Sequence, residues 1–125
     1  MEIHESAEDY LERILMIQER KGAVRSIDVA TELGFTKASV SVAMKKLRES
    51  GYITVDREGF LSLTPAGQEV AGRMYQRHTL LTEFFVRLGV SPATAAADAC
   101  KIEHDLSEET FEKILAHAQN TAKTT

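Results

Sequence analysis

Apolar residues in the first fifty positions recur with the 3.6-residue period of amphipathic α-helices. The pattern predicts three helices within residues 6–21, 26–33 and 36–50, with Gly22 and Gly34 breaking the chain between them. Each helix begins at a hydroxyl-bearing residue that is expected to cap it: Ser6, Ser26 and Thr36. The break at Gly34 would make the second and third helices a helix-turn-helix.

After Gly51 the helical period gives way to alternation. Residues 52–56 and 60–63 alternate between apolar and polar side chains around a turn at 57–59, which predicts a β-hairpin. Helical periodicity then returns in three further segments. A hydroxyl is expected to cap each segment at its start, and in the last segment this hydroxyl is that of Ser107. The segments are 65–88, 92–106 and 107–118.

Helix, short helix, turn, helix and hairpin are, in this order, the elements of a winged helix-turn-helix. The chain is therefore predicted to be mainly α, with a winged helix-turn-helix DNA-binding domain at 1–70 and an α-helical domain at 71–125. A homodimer is expected, because the fourth helix carries an apolar stripe too long for so small a domain to cover. This stripe includes Leu81, Phe84, Phe85 and Leu88.

Composition narrows the class of protein. The chain has 125 residues, the size of one domain with a small addition. It has no recognisable export signal and no apolar stretch of membrane-spanning length, so a cytoplasmic protein without membrane contact is expected. Its single cysteine, Cys100, cannot form an intramolecular disulfide and is expected to be either a packed thiol or a metal ligand.

Charge is distributed unevenly along the chain. The formal net charge of −4 argues mildly against a nucleic-acid partner. Between Lys37 and Arg57, however, five basic residues stand against two acidic ones, so this window carries +3 and the rest of the chain −7. The basic window indicates a local anion-binding surface, with an ordinary solvated helix face as the alternative.

The third helix is predicted to be the recognition helix that enters the major groove of double-stranded DNA. Its first turn exposes short side chains that can approach base edges, while nearby basic residues can reach phosphates. For Thr36 an alternative remains, since an N-cap hydroxyl can be satisfied by the helix backbone. The residues predicted to contact DNA are Arg25, Thr36, Lys37, Ser39, Ser41, Lys45, Lys46 and Arg57.

Two sets of residues suggest a metal site. On a helix, Cys100, Glu103 and His104 share one face, where a thiol, a carboxylate and an imidazole form a ligand set for transition metals. Asp9 and Glu12 share a face of the first helix in the same way. The alternatives are a cysteine that only packs and carboxylates that are only solvated.

Nearly the whole chain resembles the diphtheria toxin repressor and manganese transport regulator family. The matching motifs have the family's order and closely similar spacing: Asp9-Tyr10-Leu11-Glu12, Thr36 to Ser41, Leu63 to Gly67, Arg77-His78 and Cys100 to Ser107. The resemblance implies a winged-helix domain, a helical metal-binding and dimerisation domain, and a divalent metal as corepressor. It implies, position by position, these metal ligands: Asp9, Glu12, His78, Cys100, Glu103 and His104.

The chain departs from both branches of that family. Asp9 resembles the manganese type and Cys100 the iron type, so the ligand set is a hybrid. Thr82 and Ala96 stand where the iron type has ligands of an ancillary site, so the sequence leaves open whether one metal binds or two. The chain also resembles the short form, without a β-barrel domain. Fe²⁺ or Mn²⁺ is expected as corepressor, with Co²⁺, Ni²⁺ and Zn²⁺ also binding in vitro.

The predicted function is therefore a metal-dependent repressor of metal-ion homeostasis that binds a pseudo-palindromic operator. The main alternative is a winged-helix regulator that senses a small organic ligand. A metalloenzyme is not expected, because no separate general base or substrate-positioning set accompanies the ligands.

Overall fold

A computed structural model describes residues 5–123, with side chains described over 6–118. The elements of this part of the chain are α1 (Glu5–Lys21), α2 (Ser26–Leu33), α3 (Lys37–Glu49), β1 (Ile53–Val55), β2 (Leu61–Leu63), α4 (Pro65–Leu88), α5 (Pro92–Ile102) and α6 (Glu108–Lys123). They confirm the predicted mainly α fold with a winged helix-turn-helix. Two compact units are present, the first ending at Tyr75 and the second beginning at Gln76.

The first unit encloses an apolar core between α1, α2, α3 and the hairpin. Leu11 and Ile14 of α1 and Val40 of α3 are fully buried in it, as their helical spacing predicts. The hairpin is antiparallel, with Ile53 of β1 opposite Leu63 of β2. The core therefore fixes α3 with its buried side inward and its opposite side exposed.

The turn before α3 forms as the sequence predicts. Gly34 ends α2 in the left-handed conformation at φ 72°, which glycine adopts without steric cost. Thr36 caps α3, because its Oγ1 accepts a hydrogen bond from the Ser39 N–H at 3.2 Å.

The two other caps predicted for this unit are wrong. Helix α1 begins at Glu5, so Ser6 lies within the helix. Helix α2 has Arg25 at its cap position, and Ser26 is its first helical residue. The Asp28 carboxylate accepts the Arg25 N–H at 2.9 Å, which is the bond from the third helical side chain to the cap residue in a capping box.

Pairing with the wing explains why α2 starts where it does. The Val24 carbonyl accepts the Leu61 N–H at 2.7 Å, and Arg25 forms an antiparallel bridge with Phe60. These contacts hold residues 24 and 25 extended beside β2, so the helix begins only after them.

The start of α4 is joined to the end of α3. The Thr64 hydroxyl donates to the Gly51 carbonyl at 2.6 Å, and the Thr64 N–H donates to the Tyr52 carbonyl at 3.0 Å. Gly67 lies against the same residue, where a Cβ atom would be 2.0 Å from the Tyr52 carbonyl oxygen. Only glycine fits at this position.

Helix α4, which begins in the first unit and continues into the second, has its predicted bounds, while α5 and α6 of the second unit do not. Helix α5 ends at Ile102 instead of 106, because the next residues form a turn in which the Asp105 N–H donates to the Ile102 carbonyl at 3.0 Å. Helix α6 continues to Lys123 instead of 118. Ser107 is its cap, as predicted, and its Oγ accepts the Thr110 N–H at 3.0 Å.

The apolar stripe of α4 is less exposed than the sequence suggested. Leu81 is only 2% exposed and so belongs to the interior, whereas Leu88 is 67% exposed. Phe84 and Phe85 are half-buried and contact each other edge to face.

No helix in the described part of the chain has both the length and the apolar character needed to cross a membrane.

Candidate functional site

The outer side of α3 presents the residues predicted to contact DNA. Five of these residues are exposed on α3: Lys37, Ser39, Ser41, Lys45 and Lys46. They lie on the turns opposite or beside the buried stripe, so the basic residues of the window are displayed together with short hydroxyl side chains. This is the arrangement of a recognition helix, which combines phosphate and base contacts.

The hydroxyls of Thr36 and Ser39 are committed to the helix cap. The Thr36 hydroxyl donates to Ser39 Oγ at 3.0 Å, and the Ser39 hydroxyl donates to the Thr36 carbonyl at 3.0 Å. Because both donor hydrogens are used within the cap, these side chains would have to give up a cap hydrogen bond in order to donate to a ligand. Thr36 therefore caps the helix as predicted, and its contact with DNA stays a prediction.

The two remaining residues predicted to contact DNA lie beside the base of the wing and in its turn. The Arg25 guanidinium lies 4.3 Å from the centre of the Phe60 ring, a cation–π contact that holds it at the base of the hairpin. Arg57 is exposed in the turn of the wing. Asp56 shapes this turn, since its Oδ1 accepts the N–H groups of Glu58 at 3.0 Å and Phe60 at 2.8 Å.

A cleft of about 190 Å³ opens on this same unit and shows two residues that the sequence reasoning missed. Its lining includes Ser41 and Lys45, which were predicted to contact DNA, and also Ser26 and Arg48, which were not. Arg48 lies within the basic window, so the charge pattern could have identified it. The cleft has two cations and two hydroxyls, a composition suited to an anionic oxygen.

In the second unit, three predicted metal ligands come together around one carboxylate. Glu103, at the end of α5, is fully buried. Its Oε2 lies 3.1 Å from His78 Nδ1, and its Oε1 lies 3.5 Å from His104 Nε2. A buried carboxylate is costly unless positive charge or hydrogen-bond donors lie near it, and His78 Nδ1 lies within hydrogen-bond distance of this one.

Arg77, next to His78 on α4, organises the segment that carries these ligands. It is only 5% exposed, and its Nη1 donates to the carbonyls of Glu103 at 2.9 Å and Leu106 at 2.7 Å. Its Nη2 donates to the Glu108 carboxylate at 3.0 Å. The sequence placed Arg77 in a family motif but gave it no role, since nothing local shows that a residue 26 positions earlier holds this turn.

The other predicted ligands have these positions within their own units. Cys100 is half-buried on α5, one turn before Glu103. In the first unit, Asp9 is half-buried and Glu12 is buried on α1, with carboxylate oxygens within 4.8 Å of each other. Imidazole, carboxylate and thiol groups in these settings fit a first-row divalent metal.

Comparison with known proteins identifies both units. Residues 2–60 match the family model described as the iron dependent repressor, N-terminal DNA binding domain. Residues 64–124 match the iron dependent repressor, metal binding and dimerisation domain.

Individual relatives agree with these matches. The chain is 35% identical to the transcriptional regulator MntR of Salmonella typhimurium over 115 residues, 92% of this chain and 73% of that protein. It is 37% identical to the HTH-type transcriptional regulator MntR of Listeria monocytogenes over 109 residues, 87% of this chain and 77% of that protein. A solved manganese-dependent transcriptional repressor in complex with manganese superposes with a TM-score of 0.81 at 31% identity, covering 89% of this chain and 51% of that one. The chain thus spans about half the length of that solved structure.

Proposed function

Because the chain belongs to the iron-dependent repressor family, and is therefore a metal-dependent transcriptional regulator rather than an enzyme, we propose that it binds a pseudo-palindromic operator as a homodimer, with Fe²⁺ or Mn²⁺ as corepressor. The observation that carries this proposal is the buried carboxylate of Glu103 between the imidazoles of His78 and His104. The cytoplasm is the compartment in which this activity would operate. The DNA-binding part would span 1–70 and the metal-binding and dimerisation part 71–125.

The proposed metal ligands come from both units of the chain. The second unit supplies two imidazoles, a carboxylate and a thiol, and the first supplies a pair of carboxylates on α1. The ligands are Asp9, Glu12, His78, Cys100, Glu103 and His104. The mixed donors support loose selectivity among divalent metals, since a thiolate favours softer ions while carboxylates tolerate Mn²⁺.

Electrostatics supports metal dependence. Asp9 and Glu12 hold two carboxylates close together on α1, and bringing like charges together raises the free energy of the ionised site. A divalent cation supplies the positive charge that makes a cluster of carboxylates stable. If the DNA-competent form binds metal more tightly, linkage requires that operator DNA raise metal affinity by the same factor.

The second unit supports assembly as well as metal binding. It matches a dimerisation domain, and its helix α4 ends in the exposed Leu88. Two copies related by a twofold axis would present two recognition helices about one DNA turn apart, which is what a pseudo-palindromic operator requires. Sedimentation is expected to give a dimer with and without metal, and a monomer at micromolar concentration in both states would contradict this.

The decisive experiment is a DNA-binding titration with each divalent metal in turn. Operator duplexes are first selected from a random library by the Mn²⁺-loaded protein, and affinity is then measured by fluorescence anisotropy with Fe²⁺, Mn²⁺ or excess chelator. Tight binding is expected only with metal. Equal affinity with chelator would contradict the corepressor role and would favour the alternative of an organic ligand.

Matched variants separate ligands from other acids. Glu103→Gln and Glu12→Gln are expected to weaken metal binding measured by equilibrium dialysis, without preventing folding. Their controls are Glu83→Gln on α4 and Glu19→Gln on α1, both at exposed positions. If the controls weaken metal binding as much as the two tested variants do, the proposed ligand assignment is wrong.

A further inference from the structure

Recognition helix α3 presents an apolar outer surface at its amino-terminal half. At about 100° per residue, the positions opposite the buried stripe of Val40, Met44 and Leu47 are those of Ala38, Val42, Lys45 and Glu49. All four are exposed. Val42 is 56% exposed and is the most exposed large apolar side chain of the first unit's described part.

A valine at this position does not help the helix. Exposed helix positions are usually filled by residues of higher helix propensity, and a β-branched side chain loses χ1 freedom there. Val42 lies one turn after Ala38, so the two form a continuous strip of methyl groups, with Lys45 on the next turn. The structure gives this strip no intramolecular packing role, since the core lies on the opposite side of the helix.

The neighbouring polar groups make this strip the more important for base recognition. The donor hydrogens of Thr36 and Ser39 are used within the helix cap, so donating to a base edge would cost these hydroxyls their cap hydrogen bonds. Val42 has no hydrogen-bonding group at all. In the major groove of B-DNA, the feature that matches such a side chain is the C5-methyl group of thymine.

We propose that Val42, supported by Ala38, determines operator specificity by contacting a thymine methyl group in each half-site. The inference rests on the proposed function, and it names the base that this surface selects. Charge complementarity supports DNA as the occupant, because exposed Lys45 and Lys46 follow on the next turn and Lys37 lies at the helix start.

The test combines a protein variant with a DNA variant. Operators selected from a random duplex library are resynthesised with each thymine replaced, one at a time, by deoxyuridine, which lacks only the methyl group. For the metal-loaded native protein, a single replacement at one thymine position in either half-site is expected to weaken binding roughly four-fold. This is the effect of removing one methyl group from a contact. Val42→Ala is expected to bind the thymine operator several-fold more weakly and to be insensitive to that replacement.

Two variants provide controls. Val42→Ala removes an exposed side chain and raises helix propensity, so it should fold normally, as far-UV circular dichroism can verify. Lys45→Ala should weaken binding to the thymine and deoxyuridine operators by equal factors, because phosphate contacts carry no base information.

The outcomes distinguish this inference from the proposed function. If the native protein binds its selected operators but Val42→Ala remains as sensitive to deoxyuridine as the native protein, the thymine contact is not made by Val42 and the inference is overturned. The same holds if no single replacement affects the native protein. If the metal-loaded native protein selects no operator from the library, the proposed function itself is wrong.

Discussion

Arg77 is expected to contribute more to stability than any other basic residue of α4. In Arg77→Met, the apolar stem is kept while the guanidinium is removed, so the carbonyls of Glu103 and Leu106 lose their donor. A hydrogen bond from a charged donor contributes about 1.5–3 kcal/mol. The ion pair with Glu108 adds about 0–1 kcal/mol, because that carboxylate is 62% exposed.

These terms sum to about 3–7 kcal/mol, and the net loss should lie near the lower end. Removing the buried guanidinium also removes the cost of its desolvation, and the methionine sulfur can replace part of the cation–π contact that Arg77 makes with the Phe111 ring. We expect the free energy of unfolding to fall by about 3 kcal/mol, a large part of the roughly 5–15 kcal/mol that stabilises a typical domain.

Urea unfolding of the chelated protein measures this loss without a contribution from bound metal. Amide hydrogen exchange then localises it, and the largest loss of protection is expected at the start of α6, next to Leu106. The matched control is Arg87→Met, at an exposed position on the same helix, which should change stability by at most about 0.5 kcal/mol. Equal losses in the two variants would refute the role assigned to Arg77.

Three further predictions concern the cap of α2, the joint before α4 and the metal preference. Asp28→Asn should destabilise the protein at neutral pH, because the hydrogen bond from the Arg25 N–H lowers the pKa of Asp28 below 3.8. The contribution of the ionised Asp28 to stability is present above that pH and is lost as the pH falls through the folded-state pKa. The difference between Asp28→Asn and the native protein in urea should therefore shrink under acid, and a constant difference would contradict this. Gly67→Ala should cost at least about 2 kcal/mol, because its Cβ would meet the Tyr52 carbonyl at 2.0 Å, and an unchanged thermal midpoint would show that the backbone shifts freely. Cys100→Glu should shift the metal preference of the protein toward Mn²⁺ and abolish the thiolate charge-transfer band of the Co²⁺-loaded protein. If the band and the order of metal affinities stay unchanged, Cys100 is a packed thiol.

Periodicity was enough to predict most of the fold. The helical and alternating periods predicted the helices and the hairpin, because buried side chains must share one face of each element. Thr36 and Ser107 were predicted as caps because a hydroxyl acts on N–H groups only three residues away. The cap predicted at Ser26 was wrong, because the residues before it are held extended by the wing, whose residues lie more than thirty positions later.

The candidate site was predictable in composition but not in geometry. Local spacing could place Glu103 beside His104, and resemblance added His78. The 3.1 Å approach of His78 to Glu103 depends on how α4 packs against the end of α5, which no local pattern encodes. Leu81 shows the same limit, since helical spacing identifies an apolar side but not whether the chain's own second unit covers it.

The way Arg77 holds the turn after α5 has an evolutionary consequence. Two of its three partners are main-chain carbonyls, which every amino acid supplies, so the geometry of the turn does not depend on the side chains within it. Mutations at positions 104–106 can therefore change donor chemistry while the backbone keeps its path. A turn held in this way allows the side chains that follow Glu103 to be substituted while the segment that carries Glu103 keeps its fold.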